Sequence, residues 1–322
     1  MAKHELRSGN VNHGGLRLGK RDPIEGKPAL MLRAILSGKL PEVPAQVDHL
    51  GIGGWRMGLN NRYGTCVAVT WANERRLYSR LAGAEHYPDD SSIEALYRTQ
   101  NPHFPSDDNG MVISEALDYL RKTGGPDGVK ALAFAKVDHT NPDEVKAAMA
   151  IFGAVWVGVQ VSSANMDQFN SEQPWDYVKG SPIEGGHSII VGGYDSDGQG
   201  GDERFVTWAA ETAFTDAFWS RQVDEAWVVI WPEHLGTAQF MEGIDQAALG
   251  DAFAQLTGGT FPAGPQPEPT PPQPVDPTVD VADRTLAAAV ADWLDHHRHS
   301  GEAKQVAEAL KVWREAKGLA GA

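Results

Sequence analysis

The sequence predicts an α+β fold of two packed halves, a helical half followed by a twisted antiparallel β half. The first half contains amphipathic segments with helix-capping residues, whereas the second half contains short runs rich in β-branched and aromatic residues. At 322 residues and 41% hydrophobic content, the chain can bury one sizeable core and still leave an extension or a small accessory domain.

The helices of the first half are predicted from apolar spacing and caps. Pro28–Leu36 is apolar enough for a short helix, and PAQVDHL after it favours a short strand. The run CVAVTWANERRLYSRLAG predicts a helix with Cys66 in its first turn. We expect a second helix at SEALDYLRKTGG, capped by Ser114 and ended by Gly124. A third helix is predicted at Asn141, where a capping side chain precedes proline and two acids.

The strands of the second half are predicted at AVWVGVQV, GHSIIVGGY, RFVTW and AWVVIW. Between two of them lies DSDGQGGDE, which has the acidic composition of a calcium loop. A calcium loop would need a bidentate glutamate where Val206 stands, so this segment favours a β-hairpin turn instead.

Composition divides the chain into four segments. We interpret residues 1–42 as an N-terminal extension, for which a pro-segment is an alternative, and residues 43–257 as the principal domain. Residues 258–282 are proline-rich and lack apolar periodicity, which predicts an extended linker. Residues 283–322 carry two apolar stripes that predict a helical hairpin. About 40 residues bury too little surface to be stable alone, so the hairpin is expected to form an oligomer or to bind a particle partner.

Charge and composition restrict the partners and the location. The net charge of −15, from 28 basic and 43 acidic residues, argues against binding to nucleic acid or to an anionic membrane. There is no run of about 20 apolar residues and no apolar segment typical of a signal peptide at the N-terminus. We therefore expect a soluble, cytoplasmic chain, with incorporation into a virion left open.

No cofactor and no metal site is predicted. The histidines His296, His297 and His299 lie close together, but three histidines at a helix end are more often solvated than metal-bound.

The residue types of a thiol acyl transfer occur in order along the chain. Cys66 is the only cysteine, and its place at a helix start favours the thiolate, which is the nucleophilic form. His187, predicted to lie on a strand, can act as the general acid and base. The Cys66 backbone N–H and the Asn60 side-chain amide can donate to an oxyanion, although Asn60 fits a turn equally well. Gly64 leaves room for a substrate backbone.

At these residues the sequence resembles the papain-like cysteine peptidases. Asn60, Gly64 and Cys66 stand at the spacing of that family's glutamine, glycine turn and catalytic cysteine, with asparagine replacing glutamine. The pair Gly186-His187, which leads into Val-Gly-Gly-Tyr, is similar to the family's histidine segment, and Asn109-Gly110-Met111 is similar to its glycine-rich turn. The resemblance spans roughly Val43 to Trp231, and the chain looks especially similar to phage-borne members.

One catalytic residue of the family has no counterpart at its position. Trp208 takes the place of the asparagine that follows the histidine strand. An indole only donates hydrogen bonds, so Trp208 cannot accept a proton from the imidazole ring. We expect a backbone carbonyl, or else Glu211, to orient His187, and Trp208 to act as a lid over the pair.

The resemblance implies a two-lobed papain-like fold and a thiol protease that hydrolyses peptide or protein substrates. In this interpretation Cys66 forms a thioester, and Cys66, His187, Asn60 and Trp208 form the site, without a cofactor. Two alternatives stay open: a non-catalytic papain-like attachment module of a phage particle, and an amidase or acyltransferase that uses the same dyad.

Overall fold

The computed structural model describes residues 15–38, 43–195 and 203–262. The hairpin turn predicted between the two central strands falls mostly in residues 196–202, outside the described residues. The same holds for the proline-rich linker beyond residue 262, for the C-terminal helical hairpin and for the histidine cluster within it. Those predictions stay predictions.

Helices form where the spacing and the caps favour them. The Asn141 side chain accepts hydrogen bonds from the first-turn amides of its helix, as its sequence predicts. In chain order the helices are α1 (Cys66–Leu81), α2 (Asp90–Arg98), α3 (Ile113–Lys122), α4 (Pro142–Phe152), α5 (Ser163–Asn170), α6 (Asp216–Gln222), α7 (Ala238–Gly243) and α8 (Gln246–Thr257). None of these helices is long and apolar enough to cross a membrane.

The strands form one sheet, in which the neighbours run β1-β3-β8-β4-β5-β6-β7 and β2 pairs with β5. The strands are β1 (Leu30–Met31), β2 (Gln46–Asp48), β3 (Ala133–Lys136), β4 (Val155–Ser162), β5 (Ile183–Asp195), β6 (Glu203–Thr207), β7 (Ala210–Phe214) and β8 (Val223–Ile230). All pairs are antiparallel except β1 with β3. The predicted α+β class is confirmed.

The sheet is buried on both faces because its residues alternate between two hydrophobic cores. In β4, Val155 and Val157 belong to one core and Trp156 to the other. The Trp156 core packs α1, α2 and α3 against one face. The opposite core packs the later helices against the other face, so the β half carries helices of its own.

Three local expectations are corrected. Pro28–Leu36 contains β1 and a short 3₁₀ turn at Leu32–Ala34 instead of an α-helix, because Leu30 and Met31 pair with β3. Ser114 does not cap α3; Val112 holds the cap position, and Ser114 is buried in the first turn. The sequence patterns also miss β7 and several short helices, which are too brief for a periodic signal.

Candidate active site

Cys66 is the first residue of α1 and is only 2% exposed. A tight loop sets its position. The Thr65 hydroxyl donates to the Gly58 carbonyl at 2.9 Å, and the Gly64 amide donates to an Asp108 carboxylate oxygen at 2.9 Å. The thiol therefore begins the helix from a braced turn, as the sequence predicts.

His187 lies on β5, and its neighbour Ser188 links this strand to α1. The Ser188 hydroxyl donates to Thr70, one turn along α1, at 3.0 Å, and accepts from the Trp156 indole at 2.7 Å. The Ser188 backbone N–H also lowers the pKa of the Cys66 thiol. The sheet thus brings the histidine segment to the start of the cysteine helix.

The partner of the His187 ring is Thr207. His187 Nε2 and Thr207 Oγ1 share a hydrogen bond of 2.6 Å, whereas Nδ1 has no hydrogen-bond partner in the described part of the chain. The expectation that a backbone carbonyl or Glu211 holds this ring is wrong. Thr207 ends β6, where its side chain reaches the imidazole, and Glu211 pairs with Val206 across the β6–β7 ladder.

Trp208 stacks on the imidazole, with ring centroids 4.5 Å apart and an interplanar angle of 27°. It lies in a two-residue turn between β6 and β7, in which Trp208 has φ of 43° and Ala209 has φ of 65°. Positive φ at both residues matches the twist of a tight hairpin and is unusual for side chains of this size. The turn places the indole over His187 and buries both rings.

Residues 15–22, which we call the cleft segment, lie between the two parts of this site. The Gly19 and Lys20 amides both donate to the Gly186 carbonyl, at 3.1 and 2.9 Å. Met111 bonds the segment from the other side: its amide donates to Gly19 O at 2.8 Å, and its carbonyl accepts from Arg21 N at 2.8 Å. The segment is therefore held by main-chain bonds on both sides.

Gly19 is the residue at the thiol. Its backbone N–H donates to the Gly186 carbonyl and also lowers the pKa of the nearby Cys66 thiol, and its carbonyl accepts from Met111. A Cβ at Gly19 would lie 2.1 Å from the Gly64 carbonyl oxygen, so no larger residue fits without a shift. The cleft segment thus covers the thiol, which is buried beneath it.

Burial sets the protonation of both groups. It raises the pKa of the Cys66 thiol to about 11, against lowering by the amide N–H groups of Ser188, Gly19 and Val67 and by the Lys20 charge. Burial alone lowers the pKa of His187 to about 3. The first-turn amide of Val67 lowers the thiol pKa, as the helix start predicts, but burial outweighs it at this covered site, so the thiol and the imidazole are both neutral at pH 7.

Asn60 is buried in the loop before Cys66, and its Nδ2 donates to the Tyr63 carbonyl at 2.9 Å. The Asn60 backbone carbonyl accepts a hydrogen bond from the Arg17 backbone amide at 3.0 Å. One amide hydrogen thus braces the turn, and the second amide hydrogen is the one left for an oxyanion. The oxyanion role of Asn60 stays a prediction.

Two groups at this site escape sequence reasoning. Thr207 gives no signal, because a threonine at a strand end is common and its ring partner is 20 positions away. Lys20 escapes as well, since nothing near it in the sequence indicates that an extension residue would be buried against Asp224 and Glu225.

The fold defines a class, the papain-like α+β fold. Among solved structures, the chain is similar to xylellain, a cysteine protease from Xylella fastidiosa. The identity is 17% and the TM-score is 0.52, over 69% of this chain and 98% of xylellain. At 17% identity, this similarity is evidence for the fold alone.

Two further structures match more weakly. Procathepsin B S9 from Trypanosoma congolense has 11% identity and a TM-score of 0.48, over 66% of this chain and 86% of that one. The ragweed allergen Amb a 11, a cysteine protease in its proform, has 13% identity and a TM-score of 0.46, over 60% and 67%. No protein-family model and no curated protein sequence matches the chain.

Proposed function

We propose that the chain is a cysteine peptidase that hydrolyses peptide bonds through a thioester on Cys66, with His187 as general acid and base. The observation that supports this most is the placement of a lone thiol at a helix start against a histidine strand. Ser188 joins the two: its hydroxyl donates to Thr70 of α1, and its backbone N–H lowers the pKa of the Cys66 thiol.

The ring nitrogens of His187 have separate tasks in this proposal. Nε2 is engaged with Thr207, so Nδ1 is the nitrogen that exchanges a proton with the thiol. With the cleft open, Nδ1 takes the thiol proton and the sulfur attacks the peptide carbonyl carbon. The C–N bond then breaks as Nδ1 returns the proton to the leaving amine, and water hydrolyses the thioester.

The Cys66 amide and the second Asn60 hydrogen are the proposed donors to the oxyanion. Both are fixed by the loop before α1, so they need no rearrangement as charge develops on the oxygen. Trp208 is the proposed lid: it excludes water from the imidazole and strengthens the bond to Thr207.

The proposed peptidase is closed in this structure, because the cleft segment covers the thiol. Its main chain is hydrogen-bonded to the backbone groups of Gly186 and Met111, which an extended peptide would otherwise use. Activity therefore requires that residues 15–22 leave the cleft.

The test is cleavage of a mixed peptide pool, read by mass spectrometry, with the full chain and with its Gly19→Ala variant. The expected result is cleavage that Cys66→Ala abolishes, and a higher rate in Gly19→Ala, whose added methyl group clashes with Gly64. Cleavage that survives Cys66→Ala would assign the activity to another group or to a contaminant.

A non-catalytic papain-like module is the second candidate. The observation that favours it is the pair of neutral, buried groups, a thiol with a pKa of about 11 and an imidazole with a pKa of about 3. Under this alternative, displacing the cleft segment exposes an ordinary thiol and produces no peptide cleavage.

A further inference from the structure

The Lys20 side chain is fully buried beside the candidate active site. Its ammonium lies 2.8 Å from Asp224 Oδ2 and 3.5 Å from Glu225 Oε1, and none of the side chain is exposed. Lysine is rarely buried to this extent unless it is paired. The preceding residue, Gly19, lies beside the Cys66 thiol. The Lys20 ammonium therefore occupies a pocket next to the candidate active site.

Both carboxylates of the pocket have further partners besides Lys20. Glu225 is fully buried, and its Oε2 accepts from the Trp227 indole at 2.7 Å. The Asp224 Oδ2 atom accepts from the Gln160 amide at 2.7 Å. Both carboxylates are thus positioned by residues of the sheet.

The depth of the pocket depends on Gly158. A Cβ at this position would lie 2.3 Å from Lys20 Cε and 2.7 Å from Glu225 Cγ. The absence of a side chain on β4 therefore leaves the space for a long, unbranched stem. The pocket adjoins a groove of about 630 Å³ that residues 22–27, Lys136 and Trp227 help to line.

Main chain and side chain make separate contributions to binding here. The bonds at Gly186 and Met111 are made by backbone groups and accept any peptide sequence. The Asp224–Glu225 pocket instead discriminates by charge, because an uncharged or acidic side chain leaves the two carboxylates without a counter-charge.

We propose that this pocket selects the substrate: the peptidase cleaves peptides that place a lysine side chain between Asp224 and Glu225, the position that Lys20 fills in the closed chain. The inference rests on the proposed function and gives it a substrate class. Lys20 then has two roles, since it anchors the cleft segment and competes with substrate for the pocket.

The test uses the full-length Lys20→Ala variant, in which the pocket is empty, and peptides that differ at one position. Lysine is compared with norleucine, which has a similar stem without the charge, and with glutamate. A charge-assisted hydrogen bond predicts a kcat/KM for the lysine peptide about tenfold to a hundredfold above that of norleucine, and glutamate lower still. In Lys20→Ala with Asp224→Asn and Glu225→Gln, that preference should fall to about threefold or less.

Equal cleavage of the lysine and norleucine peptides, or a lysine preference that survives loss of both acids, would overturn the proposal. If Lys20→Ala does not fold, Gly19→Ala displaces the segment and supports the same comparison. Peptide binding by a Cys66→Ser, Lys20→Ala variant separates the two hypotheses. Lysine-selective binding, with no cleavage by any variant, would support the lysine pocket and contradict the peptidase function. Cleavage without lysine selectivity would support the peptidase function and contradict the lysine pocket.

Discussion

At the residue scale, the chemistry of the site depends on which group is hydrogen-bonded to each nitrogen of the His187 ring. Thr207 holds His187 Nε2 through a hydroxyl, which can donate as well as accept. A side-chain amide oxygen can only accept, so the threonine constrains the imidazole tautomer less. When Nε2 carries the proton and Thr207 accepts it, Nδ1 is the base, and the function proposed here needs that tautomer.

Replacing Thr207 with valine tests this. Thr207→Val keeps the shape of the side chain and removes the hydroxyl, so we expect kcat to fall about tenfold, as for loss of one neutral hydrogen bond, with a smaller change in KM. Thr207→Ser, which retains a hydroxyl, is the matched variant and should keep most of the activity. Equal losses in both variants would point to packing and not to the hydrogen bond.

The pH dependence of Cys66 alkylation follows from its burial. Because the thiol pKa is raised to about 11, the thiolate fraction of the closed chain is small at pH 7 and grows as the pH rises toward that value. Iodoacetamide labelling of the native chain should therefore keep accelerating above pH 9. A labelling rate that levels off near pH 7 would mean that the thiol is activated even under the cleft segment.

At the element scale, the cleft segment determines whether the site is accessible. Its backbone bonds to Gly186 and Met111, and the Lys20 ion pairs, hold it across the start of α1. The sequence indicated α1, the histidine strand and the Cys66–His187 order, since periodicity and local motifs carry those features. It could not place residues 15–22, because their contacts are with residues that are distant in the chain and follow no pattern.

Gly19→Ala should open the cleft. The added Cβ would lie 2.1 Å from the Gly64 carbonyl oxygen, and backbone on both sides leaves little room to adjust. At pH 7 we expect Cys66 to be alkylated more than about tenfold faster than in the native chain, as the thiol pKa returns toward its ordinary value.

Gly38→Ala is the control for that experiment, since a Cβ there has no neighbour within 4 Å. It should leave the alkylation rate unchanged. An unchanged rate in Gly19→Ala as well would show that the segment does not limit access to the thiol.

At the scale of the whole molecule, two buried histidines make the fold sensitive to acid. Burial lowers the pKa of His187 to about 3 and that of His234 to about 4. The unfolded chain binds a proton on each near pH 6.5, whereas the folded chain does not, so stability decreases as the pH falls through the range between these values. Each group costs on the order of a few kcal/mol by the bottom of that range.

We therefore expect the unfolding midpoint to drop steeply between pH 6.5 and pH 4, and the drop to be smaller in His234→Gln. His103→Gln is the control, because His103 is exposed. A His234→Gln variant with the same pH profile as the native chain would show that this histidine takes up its proton without unfolding.

The described residues also bear on the division of the chain. Among the described residues, Phe261 packs against Phe253 of α8 at 5.5 Å between ring centroids and joins one of the two hydrophobic cores. A chain that ends after Pro262 should therefore keep its unfolding midpoint within about 4 °C of the full chain. A much larger drop would mean that the remaining C-terminal residues contribute to the stability of the principal domain.

The central claim is that Cys66 and His187 cleave peptides once the cleft segment leaves. The most direct measurement is the rate at which the Gly19→Ala chain cleaves a lysine-containing peptide, with Gly19→Ala, Cys66→Ser as its control and with Cys66 alkylation measured in parallel. We predict cleavage that disappears in the control and a thiol that is readily alkylated. A readily alkylated thiol without peptide cleavage would contradict the proposed peptidase.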